Sequence, residues 1–186
     1  MAEALHFTGN EEADALLAEE PLALLIGFAL DQQVTVQKAF SGPAELRRRI
    51  GYLDAARIAA MDPGELQAAF RQRPALHRFP GAMAGRVQAL CAYLVEHYGG
   101  DASRVWTDAR DGRDLQARLL ALPSIGDMKA RSLIAILGKR FGLSIPGLDE
   151  VMPTHPTLGD VDSAEALPSY QAGKRAWKAA HRAAKG

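Results

Sequence analysis

The chain has one cysteine, Cys91, so it can form neither an internal disulfide nor a four-cysteine zinc or iron–sulfur site. Cys91 falls on an apolar helical stripe and reads as a small core residue. Aromatic residues are 6% of the chain, and the abundance of Ala and Leu favours helix over strand. No apolar run is long enough to span a bilayer. Met1 to Asn10 lacks the basic start and apolar stretch of a secretory leader. The expectation is a cytoplasmic protein without a membrane partner. There is no excess charge of either sign, with 22 Lys and Arg against 22 Asp and Glu. The distribution is less even. Residues 1–30 hold six acids and no Lys or Arg, whereas Lys174, Arg175, Lys178, Arg182 and Lys185 sit in a tail without acids. One face can therefore be basic although the sum is zero.

What is present is helical spacing throughout 186 residues, enough for one medium helical domain. Glu11 to Glu20 reads as an acidic helix ended by Pro21, and Leu22 to Asp31 as a central helix apolar nearly all round. Gln32-Gln33 interrupts that apolarity. Val34 to Phe40 resumes a helix, with a break expected at Ser41-Gly42-Pro43 before Ala44 to Ile50. Asp54 to Met61 reads as a further short helix, and Asp62-Pro63-Gly64-Glu65 as the capped start of another. Met83, Val87, Leu90, Cys91, Leu94 and Val95 mark the clearest amphipathic helix, stopped by Gly99-Gly100. Residues 141–169 are rich in Pro and Gly and read as mostly loop, followed by a basic helix over approximately 170–185.

The most informative segment is Leu119-Leu120-Ala121-Leu122-Pro123-Ser124-Ile125-Gly126-Asp127-Met128-Lys129-Ala130. An apolar helix ends, a turn with Pro and Gly follows, and a second apolar helix starts at once. Gly126 is expected to supply the backbone freedom of the turn. The amides from Ile125 to Met128 lie at a helix N-terminus, where free N–H groups and the helix dipole favour an anion such as phosphate. Lys129 adds a full charge, and Ala130 lets the helices approach closely.

This segment resembles the helix-hairpin-helix motif, with Ser124 where the usual form has glycine, a replacement expected to ask for a less unusual backbone there. A second landmark is Ile26-Gly27-Phe28-Ala29-Leu30-Asp31-Gln32-Gln33-Val34-Thr35-Val36-Gln37-Lys38-Ala39. It resembles the Gln-containing turn of the endonuclease III-like (HhH-GPD) superfamily of base-excision DNA glycosylases. Arg78 to Val87 is similar to that family's small-residue turn and long helix. The resemblance covers roughly residues 20 to 150. It implies an all-α, two-lobed helical fold as a single domain over 1–186, with the hairpin over approximately 113–141. It implies double-stranded DNA as partner, a nucleoid-associated monomer, and removal of a damaged or mismatched base that is flipped out of the duplex. DNA contacts would fall on Gln32, Gln33, Ser124, Ile125, Gly126, Met128 and Lys129, with Gln33 entering the gap left by the flipped base. The family often holds a monovalent cation, Na+ or K+, at the hairpin, here through the carbonyls of Leu120, Leu122 and Ile125. No other cofactor is expected.

Glycosidic cleavage builds positive charge on the sugar, which a carboxylate can stabilise while it activates water. The resemblance assigns that role to Asp149, with Asp160 and Asp162 as weaker candidates. The Schiff-base lysine of some members corresponds to Met128. Lys129 is one place off and is expected to point elsewhere on the helix. The expectation is therefore a monofunctional glycosylase without lyase activity. The alternatives are a non-catalytic helix-hairpin-helix DNA-binding protein and a helical protein–protein adaptor.

Overall fold

The computed structural model describes residues 2–185, and among them there are helices and no strands. Helix α1 (Glu11–Glu19) is capped by Asn10, and α2 (Pro21–Leu30) starts on its proline. Leu22 to Leu30 are all buried, so α2 is the central rod that the sequence's unbroken apolarity requires. It packs against α1, against α3 (Val36–Ile50) and against α6 (Pro80–Tyr98). Phe40 of α3 meets Phe28 edge-on at 5.0 Å and Phe7 at 5.1 Å, which centres the first part of the core. The buried Asp14 accepts hydrogen bonds from the amides of Phe7 and Thr8, so one of the N-terminal acids is structural.

Helix α3 does not break at Ser41-Gly42-Pro43; it runs through Pro43. A mid-helix proline costs about 3 kcal/mol, and here tertiary packing offsets it. Ala39, Phe40, Gly42, Pro43, Ala44 and Leu46 are buried. A Cβ on Gly42 would lie 2.4 Å from Leu30 Cδ1, so the Gly-Pro pair marks a close approach to α2 rather than a break. Helices α4 (Ala55–Ala60) and α5 (Pro63–Arg71) both lean on α6. Asp54 and Asp62 cap them, the second as the sequence suggests. Cys91 is fully buried on α6, and burial pushes its thiol up to about 12.

The short α7 (Arg104–Thr107) leads into α8 (Gly112–Ala121) and α9 (Asp127–Lys139), two packed helices joined by a tight turn. The left-handed residue of that turn is Ser124, at φ +67°, while Gly126 is extended at φ −94°. Both expectations for the turn are thus corrected. Ser124 takes the backbone that usually selects glycine, and Gly126 is not required by its own conformation.

The stretch read as loop contains a one-turn α10 (Leu148–Val151) and a 3-10 turn, Leu158–Asp160. Asp160 is used locally: it accepts from the Thr157 amide at 2.8 Å and pairs with Lys139. Burial works against its ionised form, but those donors win and hold the carboxyl below the usual carboxylate range. The 3-10 turn docks on α9 so closely that a Cβ on Gly159 would lie 2.6–2.9 Å from atoms of Ala135. Helix α11 (Ala166–Ala183) starts four residues before the expected Tyr170. Pro168 falls in its first turn, where an N–H is not needed. Leu167 and Tyr170 anchor it, and reciprocal amide bonds between Gln37 and Gln171 tie it to α3. Its second half is exposed and carries the basic side chains.

Candidate functional site

A cavity of about 180 Å³ lies where the end of α2, the start of α9, the 155–158 segment and α11 converge. It is smaller than the usual drug-sized site and suits a fragment such as a single heterocyclic base. Phe28 and Asp31 contribute from α2 and its C-cap, and Met128, Lys129 and Ser132 from α9. His155 and Leu158 form another wall, with Tyr170, Lys174, Trp177 and Lys178 of α11 opposite.

Among the described residues, Asp31 is the only carboxylate lining this cavity. Burial at the end of the apolar α2 pushes its carboxyl above the usual carboxylate range, with Lys174, Lys129 and Lys178 pulling the other way. Lys129 donates to the Ser124 carbonyl at 3.2 Å. Burial lowers the Lys129 ammonium from its usual range, Asp31 opposes that, and Arg86 adds to it. A carboxylate and an amine, each shifted toward its neutral form by burial, thus share one pocket beside the turn between α8 and α9, an arrangement common at reaction sites. Burial and the carboxylates Asp31 and Asp160 push the Tyr170 hydroxyl up to about 12, so it remains a donor at neutral pH. His155 stacks on Trp177 at 6.0 Å, and its Nε2 is buried without a hydrogen-bond partner.

The structure brings Met128 and Lys129 into this pocket. The expectation that Lys129 points elsewhere is corrected: it sits in the first turn of α9, and its long side chain reaches back along the turn to Ser124. Gln32 lies beside the pocket-lining Asp31 but is held by Arg86, and Gln33 is exposed in the left-handed region at φ +55°. Ile125 is 5% exposed, so only its backbone can face a partner. Gly126 and Asp127 are exposed, no side chain caps α9, and Asp127 pairs with Arg131 at 2.8 Å. The Leu122 carbonyl accepts the Ile125 N–H at 3.3 Å, which leaves one lone pair.

Asp149 is not brought to this pocket. It is exposed on α10 and borders a separate depression with Gly138, Lys139 and Met152. The approach of Gly112 to the Gly147 backbone fixes α10 against α8, so α10 does not border the pocket formed with α11. Asp162 is exposed and also lies outside the pocket. The residues that sequence reasoning missed as a set are Asp31, Tyr170 and Trp177. A carboxylate directly ending a fully apolar helix is the signal that points to Asp31.

His77 holds the C-terminal end of α2, one residue before Asp31. It is 1% exposed, its Nε2–H donates to the Leu30 carbonyl at 2.9 Å, and its Nδ1 accepts from the Phe79 amide at 2.9 Å. Both bonds together need the neutral ring, and burial lowers its pKa from the ordinary 6.5. The unfolded chain therefore takes up this proton first as pH falls. The stabilisation is complete above 6.5 and is lost as pH drops toward the folded-state value. His77→Phe should cost about 2 kcal/mol by leaving the carbonyl and amide unpaired. Denaturant titrations at pH 7.5 and 5.5 should show a smaller pH dependence in that variant than in the wild type.

No protein-family model, curated protein or solved structure matches this chain.

Proposed function

We propose that the chain is a base-excision DNA glycosylase of the helix-hairpin-helix kind, with a two-lobed helical fold, acting on a nucleotide flipped into the cavity between α2, α9 and α11. The observation that carries the reading is a half-buried carboxylate, Asp31, in a base-sized pocket whose rim is an exposed, uncapped helix N-terminus. The geometry favours Asp31 over Asp149 as the carboxylate that stabilises the developing sugar cation, because Asp31 lies in the pocket and Asp149 does not. Duplex DNA is the partner. The turn at Gly126 receives a phosphate, Gln33 enters the vacated stack, and the lysines of α11 follow the backbone. The Leu120, Leu122 and Ile125 carbonyls would hold a Na+ or K+ beside that phosphate, and no step depends on it.

Gly126 supports the phosphate contact independently. Its φ is ordinary and a Cβ there would touch nothing within the protein, so the fold itself does not demand glycine. Gly126→Ala should leave thermal stability essentially unchanged and weaken low-salt binding to duplex DNA by about tenfold, read by fluorescence anisotropy, since a methyl there displaces a phosphate from the amides.

One observation favours a second route for the chemistry, strand cleavage through a Schiff base: the Lys129 amine faces the pocket and its pKa is lowered. In that route the neutral amine attacks C1′. The N-glycosidic bond breaks with its electron pair leaving on the base, and the amine's proton passes to the ionised Asp31; the C1′–O4′ bond then opens, O4′ takes that proton, and the C1′=N iminium that borohydride reduces is left. The test is release of bases from duplexes carrying uracil, hypoxanthine, oxidised guanine or alkylated purines, with borohydride present in a parallel series. Release from at least one lesion is expected. A borohydride-trapped adduct that disappears in Lys129→Gln assigns the amine route, and release without an adduct assigns the hydrolytic one. DNA binding without release from any lesion would leave the non-catalytic reading.

A further inference from the structure

We infer that the pocket selects neutral, carbonyl-bearing bases and rejects cationic N-alkylated purines; this rests on the glycosylase reading above. The lining sets one carboxylate, Asp31, against the ammonium groups of Lys174 and Lys178, with Lys129 beside them. Arg86 adds positive potential at Lys129, and Asp160, the other acid acting on this region, is already paired with Lys139. A cationic base therefore enters a site of its own sign.

Aromatic faces could offset that repulsion, because a ring face attracts a cation. Here the faces are already engaged. Trp177 has His155 at 6.0 Å and His181 at 3.9 Å from its ring. Lys174 Nζ lies 5.7 Å from the Tyr170 ring centroid, and the Phe28 ring, in edge contact with Phe40, is only 1% exposed. The polar groups left facing the cavity are mostly donors: the lysine ammoniums, the Tyr170 hydroxyl and, in its Nε2–H tautomer, the buried unpartnered His155 nitrogen. Donors match exocyclic carbonyl oxygens, as in uracil, hypoxanthine or an oxidised purine.

The experiment measures excision from one duplex sequence carrying, in turn, uracil, hypoxanthine, oxidised guanine, a 7-alkylated guanine or a 3-alkylated adenine. Each rate is divided by its spontaneous release rate, because cationic purines leave easily unaided. The enhancement should be at least about tenfold greater for the carbonyl-bearing set. In Lys174→Glu/Lys178→Glu that ratio should shift toward the cationic set; comparing lesions within one duplex cancels any change in DNA affinity. An enhancement favouring the cationic purines in the wild type overturns the inference and leaves the glycosylase reading standing. An unshifted ratio in the double variant removes the electrostatic basis of the inference. Release from neither set overturns the glycosylase reading itself, and the inference falls with it.

Discussion

Asp31→Asn should reduce base release by about 10²–10⁴-fold while leaving DNA binding intact and the fold slightly more stable at neutral pH. The two effects have one origin. Burial pushes the Asp31 carboxyl above its ordinary value of 3.8, so the ionised form is less favourable in the folded protein than in the unfolded chain. As pH rises through the interval between 3.8 and the folded-state value, this group subtracts from stability, and the deficit persists above it. The isosteric neutral amide removes the deficit and the chemistry together. Single-turnover base release and thermal unfolding at pH 7.5 measure both. Asp149→Asn is the matching control and should keep near-wild-type release, since its carboxylate is exposed on α10. Loss of release in Asp149→Asn with full activity in Asp31→Asn would reverse the assignment.

Gly159→Ala should be the most damaging single methyl near the site. The new Cβ would fall 2.6–2.9 Å from the Ala135 side chain and backbone, and helix α9 cannot yield as a flexible side chain would. Overpacking of this kind costs about 1–3 kcal/mol, or about 2–12 °C in Tm for a chain of this size. The strain is relieved by moving the 3-10 turn off α9, which carries His155 and Leu158 away from the pocket. Excision should therefore fall further than the lost stability explains, even at temperatures where the variant is fully folded by circular dichroism. Unchanged activity at such a temperature would show that this wall does not shape the site.

The helical class was legible because the dominant signals are local. The stripe from Met83 to Leu94, the cap Asp62, and the turn between α8 and α9 all declare themselves within a few residues. Where tertiary packing overrides local preference, the sequence misleads. Pro43 stays inside α3 because Gly42 and its neighbours pack on α2. Ser124 takes the left-handed position because the turn is set by the two helices it joins. The pocket was the least legible part. Asp31 is read locally as the polar end of a helix, whereas the charges that act on it come from Lys129 and from Lys174 and Lys178 of α11, far along the chain. The resemblance drew attention to Asp149 by its distance from the hairpin, but sequence distance does not fix which face of a one-turn helix meets which cavity.

The claim on which the account depends is that this cavity admits a nucleotide drawn out of the duplex. Fluorescence of 2-aminopurine placed next to a lesion reports that event, because unstacking relieves its quenching. Titration with the wild-type protein should raise the fluorescence in step with binding, and filling the pocket entrance by Gly173→Trp should abolish the rise while duplex binding persists. Saturable DNA binding with no change in 2-aminopurine emission for any lesion would contradict the account.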